Sequence, residues 1–152
     1  MSPTSFALFS IDRCVKTTCV PEKDLNVMTI STLVVDDNAN TRADIGSSLS
    51  SLDINLVFAN DGLDGLKQAK EGCFDLLIID HKMPLMDGLT LLKNLRQLGQ
   101  YHHTPILFVT TQDVTEVEPL ALKHGATRCL SKPLQAQFLC DVVSYYTKRS
   151  VA

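Results

Sequence analysis

The chain has 152 residues, enough for one domain with a proper core. Hydrophobic residues make up 45% and charged residues 20%, the balance of a globular chain rather than a disordered one. A net charge of −3 with no basic run argues against a nucleic-acid partner, and no apolar stretch is long enough to span a membrane. Residues 1 to 27 mix Ser, Thr, Pro and isolated charges without a sustained period. They are expected to be a disordered extension, or to lie upstream of a true start at Met28. Phe6-Ala7-Leu8-Phe9-Ser10-Ile11 is too short, and lacks the basic lead, for a signal peptide. The five cysteines (Cys14, Cys19, Cys73, Cys129, Cys140) are odd in number and irregular in spacing, which suggests thiols in a reducing cytoplasm.

A regular alternation begins at Thr32-Leu33-Val34-Val35, the first predicted strand, which ends at Asp36-Asp37. A weak helix over roughly 40 to 52 follows. Gly46 and several serines lower its propensity, so Ile45, Leu49 and Leu52 must hold it by packing. Ile54 to Ala59 reads as the second strand, and Asp61-Gly62 opens a helix to about Glu71. Leu76-Leu77-Ile78-Ile79-Asp80 is the third strand. A helix from about Asp87 to Leu98 follows, with Leu85, Leu89, Leu92, Leu95 and Leu98 as one apolar stripe. Pro105 to Thr110 is the fourth strand. The next helix ends before Gly125, which, like Gly99, is placed as a C-terminal cap. Pro119 is expected in the first turn of that helix, with Thr115 or Glu118 near the N-cap, because an interior proline forfeits a backbone bond. Thr127 to Ser131 is the fifth strand, and a last helix runs from about 134 to 148.

Nearly continuous apolar strands alternating with helices predict an α/β, doubly wound parallel sheet covered on both faces. Sites in such sheets form beyond the carboxyl ends of the strands. Asp36-Asp37, Asp80, Thr110-Thr111 and Lys132-Pro133 stand at those ends. Taken singly, each has an ordinary explanation: an Asp caps a helix, a Lys-Pro makes a turn, a Thr fills a strand. Together they place three carboxylates, a hydroxyl and an ammonium at one edge. Three carboxylates repel unless a cation lies among them, and Mg²⁺ favours such oxygen ligands. The set suits a carboxylate nucleophile attacking phosphorus.

Residues 29 to 149 resemble the receiver domains of two-component response regulators, the chemotaxis receiver among them. The resemblance rests on Val34-Val35-Asp36-Asp37-Asn38, Asn60-Asp61-Gly62, Leu77-Ile78-Ile79-Asp80, Met83-Pro84-Leu85-Met86-Asp87-Gly88, Val109-Thr110 and Ser131-Lys132-Pro133. It implies a receiver domain over 28–152 with a flavodoxin-like sheet of strand order 2-1-3-4-5. Asp80 would be the phosphoacceptor. Asp37 would ligate Mg²⁺ directly and Asp36 through water, with Asp80 and the Lys82 backbone carbonyl completing the metal set. Thr110 and Lys132 would bind the phosphoryl oxygens. The implied donor is a sensor histidine kinase or a histidine phosphotransfer protein, and the implied readout is a downstream protein bound in a phosphorylation-dependent way. The chain is expected to be a stand-alone cytoplasmic receiver and no enzyme beyond its own phosphotransfer and dephosphorylation.

Two alternatives compete with this. A haloacid-dehalogenase-like phosphatase needs a second acid two residues after the nucleophile, where this chain has Asp80-His81-Lys82. A pseudo-receiver would lack site residues that are present here. Among other positions, His81 is expected to be a surface residue pointing away from Asp80. Lys82 and Gln112 are either plain solvated loop residues or, as the resemblance implies, occupy positions that in receivers commonly tune dephosphorylation. The resembled family carries an aromatic ring where this chain has Cys129, so switching is expected to run through Thr110–Asp113 and the helix containing Pro119, with little change at the last strand.

Overall fold

The computed structural model describes residues 29–151, with side chains placed to residue 148; the disordered extension or upstream segment expected over residues 1 to 27 lies outside the described residues. Among the described residues, five strands and five α-helices alternate: β1 Ile30–Val35, α1 Ala39–Ser48, β2 Ile54–Ala59, α2 Gly62–Glu71, β3 Leu76–Asp80, α3 Gly88–Gln97, β4 Ile106–Thr110, α4 Val114–Lys123, β5 Arg128–Ser131 and α5 Ala136–Val151. A short 3₁₀ turn, Gly99–Tyr101, follows α3. The strands form one parallel sheet in the order β2-β1-β3-β4-β5, as expected.

Alternation of side chains along each strand divides the core in two. Leu33, Val35, Leu77, Ile79, Ile106 and Phe108 face one side, where they pack with Ala69 of α2, Leu91, Leu92 and Leu95 of α3, and Val117 and Ala121 of α4. Val34, Leu76, Ile78, Leu107, Val109 and Leu130 face the other, against Ile45 of α1 and Leu139, Val142 and Val143 of α5. Fully buried strands explain why their sequences read as continuous apolar runs. Ile45 and Leu49 are buried, so packing does hold the weak first helix, which ends earlier than predicted, at Ser48.

Four helices begin on side-chain caps just after a strand: Asn38, Asp61, Asp87 and Asp113 each accept a hydrogen bond from a backbone N–H of the first turn. The cap of α4 is therefore Asp113, not Thr115 or Glu118, and Pro119 lies inside the helix rather than in its first turn. The position is tolerated because Pro119 and Thr115, the residue whose carbonyl loses its helical partner, are both exposed, so water can replace the lost bond. Interior proline remains costly. Pro119→Ala is expected to stabilise the protein by about 1–3 kcal/mol, measured as a higher urea midpoint at unchanged slope. An unchanged or lower midpoint would show that α4 has adapted to the ring.

Three smaller expectations are corrected. Leu85 is not part of the α3 stripe: the helix starts after its Asp87 cap, and Leu85 is 77% exposed. It sits at φ 71° in a tight turn closed by the Met86 N–H on the Pro84 carbonyl at 2.7 Å. Gly99 opens the 3₁₀ turn, and the left-handed glycine is Gly125 alone, at φ 113°. Cys73 is disulfide-bonded rather than a free thiol, whereas Cys129 and Cys140 are free.

Candidate phosphoacceptor site

Register brings the polar strand ends together. Val35 pairs with Ile79, Asp80 with Val109, and Thr110 with Ser131. Asp36, Asp80, Thr110 and Lys132 therefore leave the sheet side by side at its carboxyl edge. Asp36 and Asp80 are buried and Asp37 is exposed. One carboxylate oxygen from each lies within 4.8 Å of the others. Lys132 spans the two buried acids, with Nζ 2.8 Å from Asp36 Oδ2 and 3.0 Å from Asp80 Oδ1. The Lys132–Pro133 peptide is cis.

Further bonds hold these groups in place. The Asn38 N–H donates to Asp36 Oδ1 at 2.8 Å, and Arg42 Nη1 donates to the Asp36 carbonyl at 2.6 Å. Arg42 is a contributor that the sequence did not single out. Behind Asp80, the Gly88 N–H donates to the His81 carbonyl at 2.7 Å, which ties the start of α3 to the end of β3.

Electrostatics follow from this packing. Burial raises the Asp80 pKa, the Lys132 hydrogen bond opposes this, and the charges of Asp36 and Asp37 raise it further; the net direction is up. Burial pulls Lys132 down, but its hydrogen bonds and charge interactions with Asp36 and Asp80 outweigh that and hold it above its usual value. Three carboxylates against one ammonium leave a formal charge of −2 when all are ionised. An all-oxygen donor set carrying that charge fits a hard divalent cation such as Mg²⁺, whose charge would also favour the ionised form of Asp80.

The structure corrects the expectation for His81. Its side chain is buried, not on the surface: Nδ1 lies 2.9 Å from Thr110 Oγ1, and the ring packs against Phe108 with centroids 5.3 Å apart. Burial lowers its pKa, and Lys82 lowers it further against the opposing charge of Asp87. Thr110 is fully buried, and its Oγ1 also accepts the Gln112 N–H at 3.0 Å. Its hydroxyl is thus engaged by His81 rather than turned to the acids. Lys82 is exposed in the loop after β3. Burial pushes the Cys129 thiol up to about 11, so it is not a reactive thiolate.

Residues 32–144 match the response regulator receiver domain family. The chain belongs to that family. Vibrio cholerae chemotaxis protein CheY4 is similar at 31% identity and a TM-score of 0.74, over 78% of this chain and 99% of that one. Sensor histidine kinase RcsC of Salmonella typhimurium is 35% identical over 117 residues, 77% of this chain. The receiver spans only 12% of that kinase's length. The receiver domain of sensor histidine kinase PA1611 from Pseudomonas aeruginosa shares the fold, with a TM-score of 0.73 at 21% identity over 80% of this chain and 99% of that one. That structure holds a magnesium ion coordinated in its active site cleft.

Proposed function

We propose that this receiver accepts a phosphoryl group on Asp80 from a histidine kinase or histidine phosphotransfer protein, and signals by binding a downstream protein in the phosphorylated state. The observation that carries this reading is Lys132 bridging Asp36 and Asp80 with Asp37 alongside. An Asp80 carboxylate oxygen attacks phosphorus, the donor's P–N bond breaks, and the departing imidazole nitrogen takes a proton. Lys132 then leaves its carboxylate partners to balance charge on the phosphoryl oxygens, joined by the Thr110 hydroxyl. Asp36, Asp37, Asp80 and the Lys82 carbonyl would hold Mg²⁺, which when bound supplies positive charge on those same oxygens. The chain catalyses only its own phosphotransfer and dephosphorylation and works in the cytoplasm; among the described residues no helix is long and apolar enough to cross a membrane. The position that a haloacid-dehalogenase-like phosphatase gives to its second acid is Lys82.

The test is incubation with a small phosphodonor and Mg²⁺. The protein should gain the mass of one phosphoryl group, a gain abolished by chelator and by Asp80→Asn. Steady turnover of a simple phosphomonoester would favour the phosphatase instead. Asp37→Ala removes a ligand and one charge. Its Mg²⁺ affinity is expected to fall at least about tenfold, the scale of a lost metal ligand or its support, measured by titration at fixed ionic strength. Equal affinities would remove Asp37 from the metal set.

A further inference from the structure

We propose that His81 is a positioning residue that holds the Thr110 hydroxyl away from the acids while Asp80 is unmodified, and gives it up when Asp80 is phosphorylated. This deepens the proposed function and rests on Asp80 being the acceptor. A threonine hydroxyl has one hydrogen to donate and two lone pairs. At Thr110 one lone pair already takes the Gln112 N–H. Among the described residues, the side-chain group within hydrogen-bond distance of this hydroxyl is His81 Nδ1, at 2.9 Å. The proposal takes the neutral tautomer with the ring hydrogen on Nε2, in which the Thr110 hydroxyl donates to His81 Nδ1.

The ring has little room to vary this arrangement. His81 is buried, its flank rests on Phe108, and its backbone is fixed at both groups: its N–H donates to the Val109 carbonyl at 2.8 Å, and its carbonyl accepts the Gly88 N–H at 2.7 Å. A phosphoryl oxygen on Asp80 would need the same Thr110 hydrogen. The two acceptors therefore compete for one donor, and the resting bond to His81 opposes the modified state. Release of that bond changes His81, which is tied through Gly88 to the start of α3 and through Phe108 to the core under α3 and α4.

The test uses the full chain with Mg²⁺ and beryllofluoride as the phosphoryl mimic. His81→Phe keeps a ring against Phe108 and removes the competing nitrogen. It should bind beryllofluoride about fivefold more tightly than the unaltered protein, the equilibrium equivalent of one ordinary hydrogen bond. In the unaltered protein the ¹⁵N resonance of His81 Nδ1 should move toward the value of a free imine nitrogen on adding beryllofluoride with Mg²⁺, and stay put with Mg²⁺ alone. A ring that merely fills space would not give this shift, and its replacement would not tighten binding. Saturable beryllofluoride binding with an unmoved Nδ1 signal, or with equal or weaker affinity in His81→Phe, overturns the proposal and leaves the receiver function standing. Absent binding, or equal binding in Asp80→Asn, overturns the Asp80 reading itself. If His81→Phe does not fold, the Nδ1 resonance of the unaltered protein decides alone.

Discussion

Lys132→Met is expected to destabilise the metal-free protein by about 3 kcal/mol and to slow phosphorylation by about a hundredfold. Methionine keeps the apolar stem but removes the ammonium that lies 2.8 Å and 3.0 Å from two buried carboxylates. Asp36 and Asp80 would then face each other with Asp37 close by and no cation among them. Breaking a buried pair costs more than the pair contributed, because the surviving charge keeps its desolvation penalty. Asp80 can limit that cost by taking a proton. Its pKa in the folded protein already lies above the usual 3.8, and loss of the lysine hydrogen bond and charge drives it further up. A raised folded-state pKa means that the native state holds the proton more tightly than the unfolded chain, so stability falls as pH rises above about 4. The variant's deficit should therefore be larger at pH 8 than at pH 5, measured by urea unfolding in chelator. Added Mg²⁺ should restore part of it. A deficit independent of both pH and Mg²⁺ would mean that the lysine acts through packing alone. The kinetic loss has a separate origin, since the ammonium is the only fixed positive side chain shown on the acceptor carboxylate among the described residues.

Gly88→Ala is the second large effect, and it acts on the same carboxylate from behind. A Cβ at this position would lie 2.1 Å from the Asp80 carbonyl oxygen and 2.9 Å from a Phe108 ring carbon. The first contact is with backbone, so no side-chain rotation relieves it. The start of α3 must move off the end of β3, and the 2.7 Å bond from the Gly88 N–H to the His81 carbonyl moves with it. A cost of about 3 kcal/mol is expected, at the upper end for an overpacked core position. Because the other side of that contact is the backbone of Asp80, phosphorylation should slow as well, by up to about a hundredfold for a shift near 1 Å. Gly99→Ala is the control: nothing lies within 4 Å of its Cβ, and its midpoint should stay within about 0.5 kcal/mol of the parent. Equal midpoints for the two variants would show that α3 can slide without cost.

The three central strands were legible because they are buried on both faces, which leaves no polar residue to interrupt Leu33–Val35, Leu76–Ile79 or Ile106–Val109. β2 and α2 matched their predicted bounds for a similar reason, since Asp61 supplies the cap that marks the boundary between them. The acids and the lysine were legible because strand ends in a parallel sheet share one edge, so sequence position alone places them together. One failure depended on neighbours distant in sequence. His81 looks like a loop residue until β4 sets Phe108 and Thr110 beside it. The one sequence-level hint was that Asp80 and His81 continue a wholly apolar strand toward a neighbour that ends in Phe and Thr. Pro119 was misplaced because propensity cannot tell whether the freed carbonyl faces water, and Thr115 does. Leu85 matched the period of the α3 stripe, but Asp87 starts the helix only after it, and capping outweighed periodicity.

The central claim is that Asp80 carries the phosphoryl group, and reductive trapping tests it most directly. Borohydride converts an aspartyl phosphate into homoserine at the modified position. After incubation with a small phosphodonor and Mg²⁺, the account predicts homoserine at position 80 alone and none in the presence of chelator. Homoserine at Asp36, Asp37 or any other acid, with Asp80 intact, would contradict it.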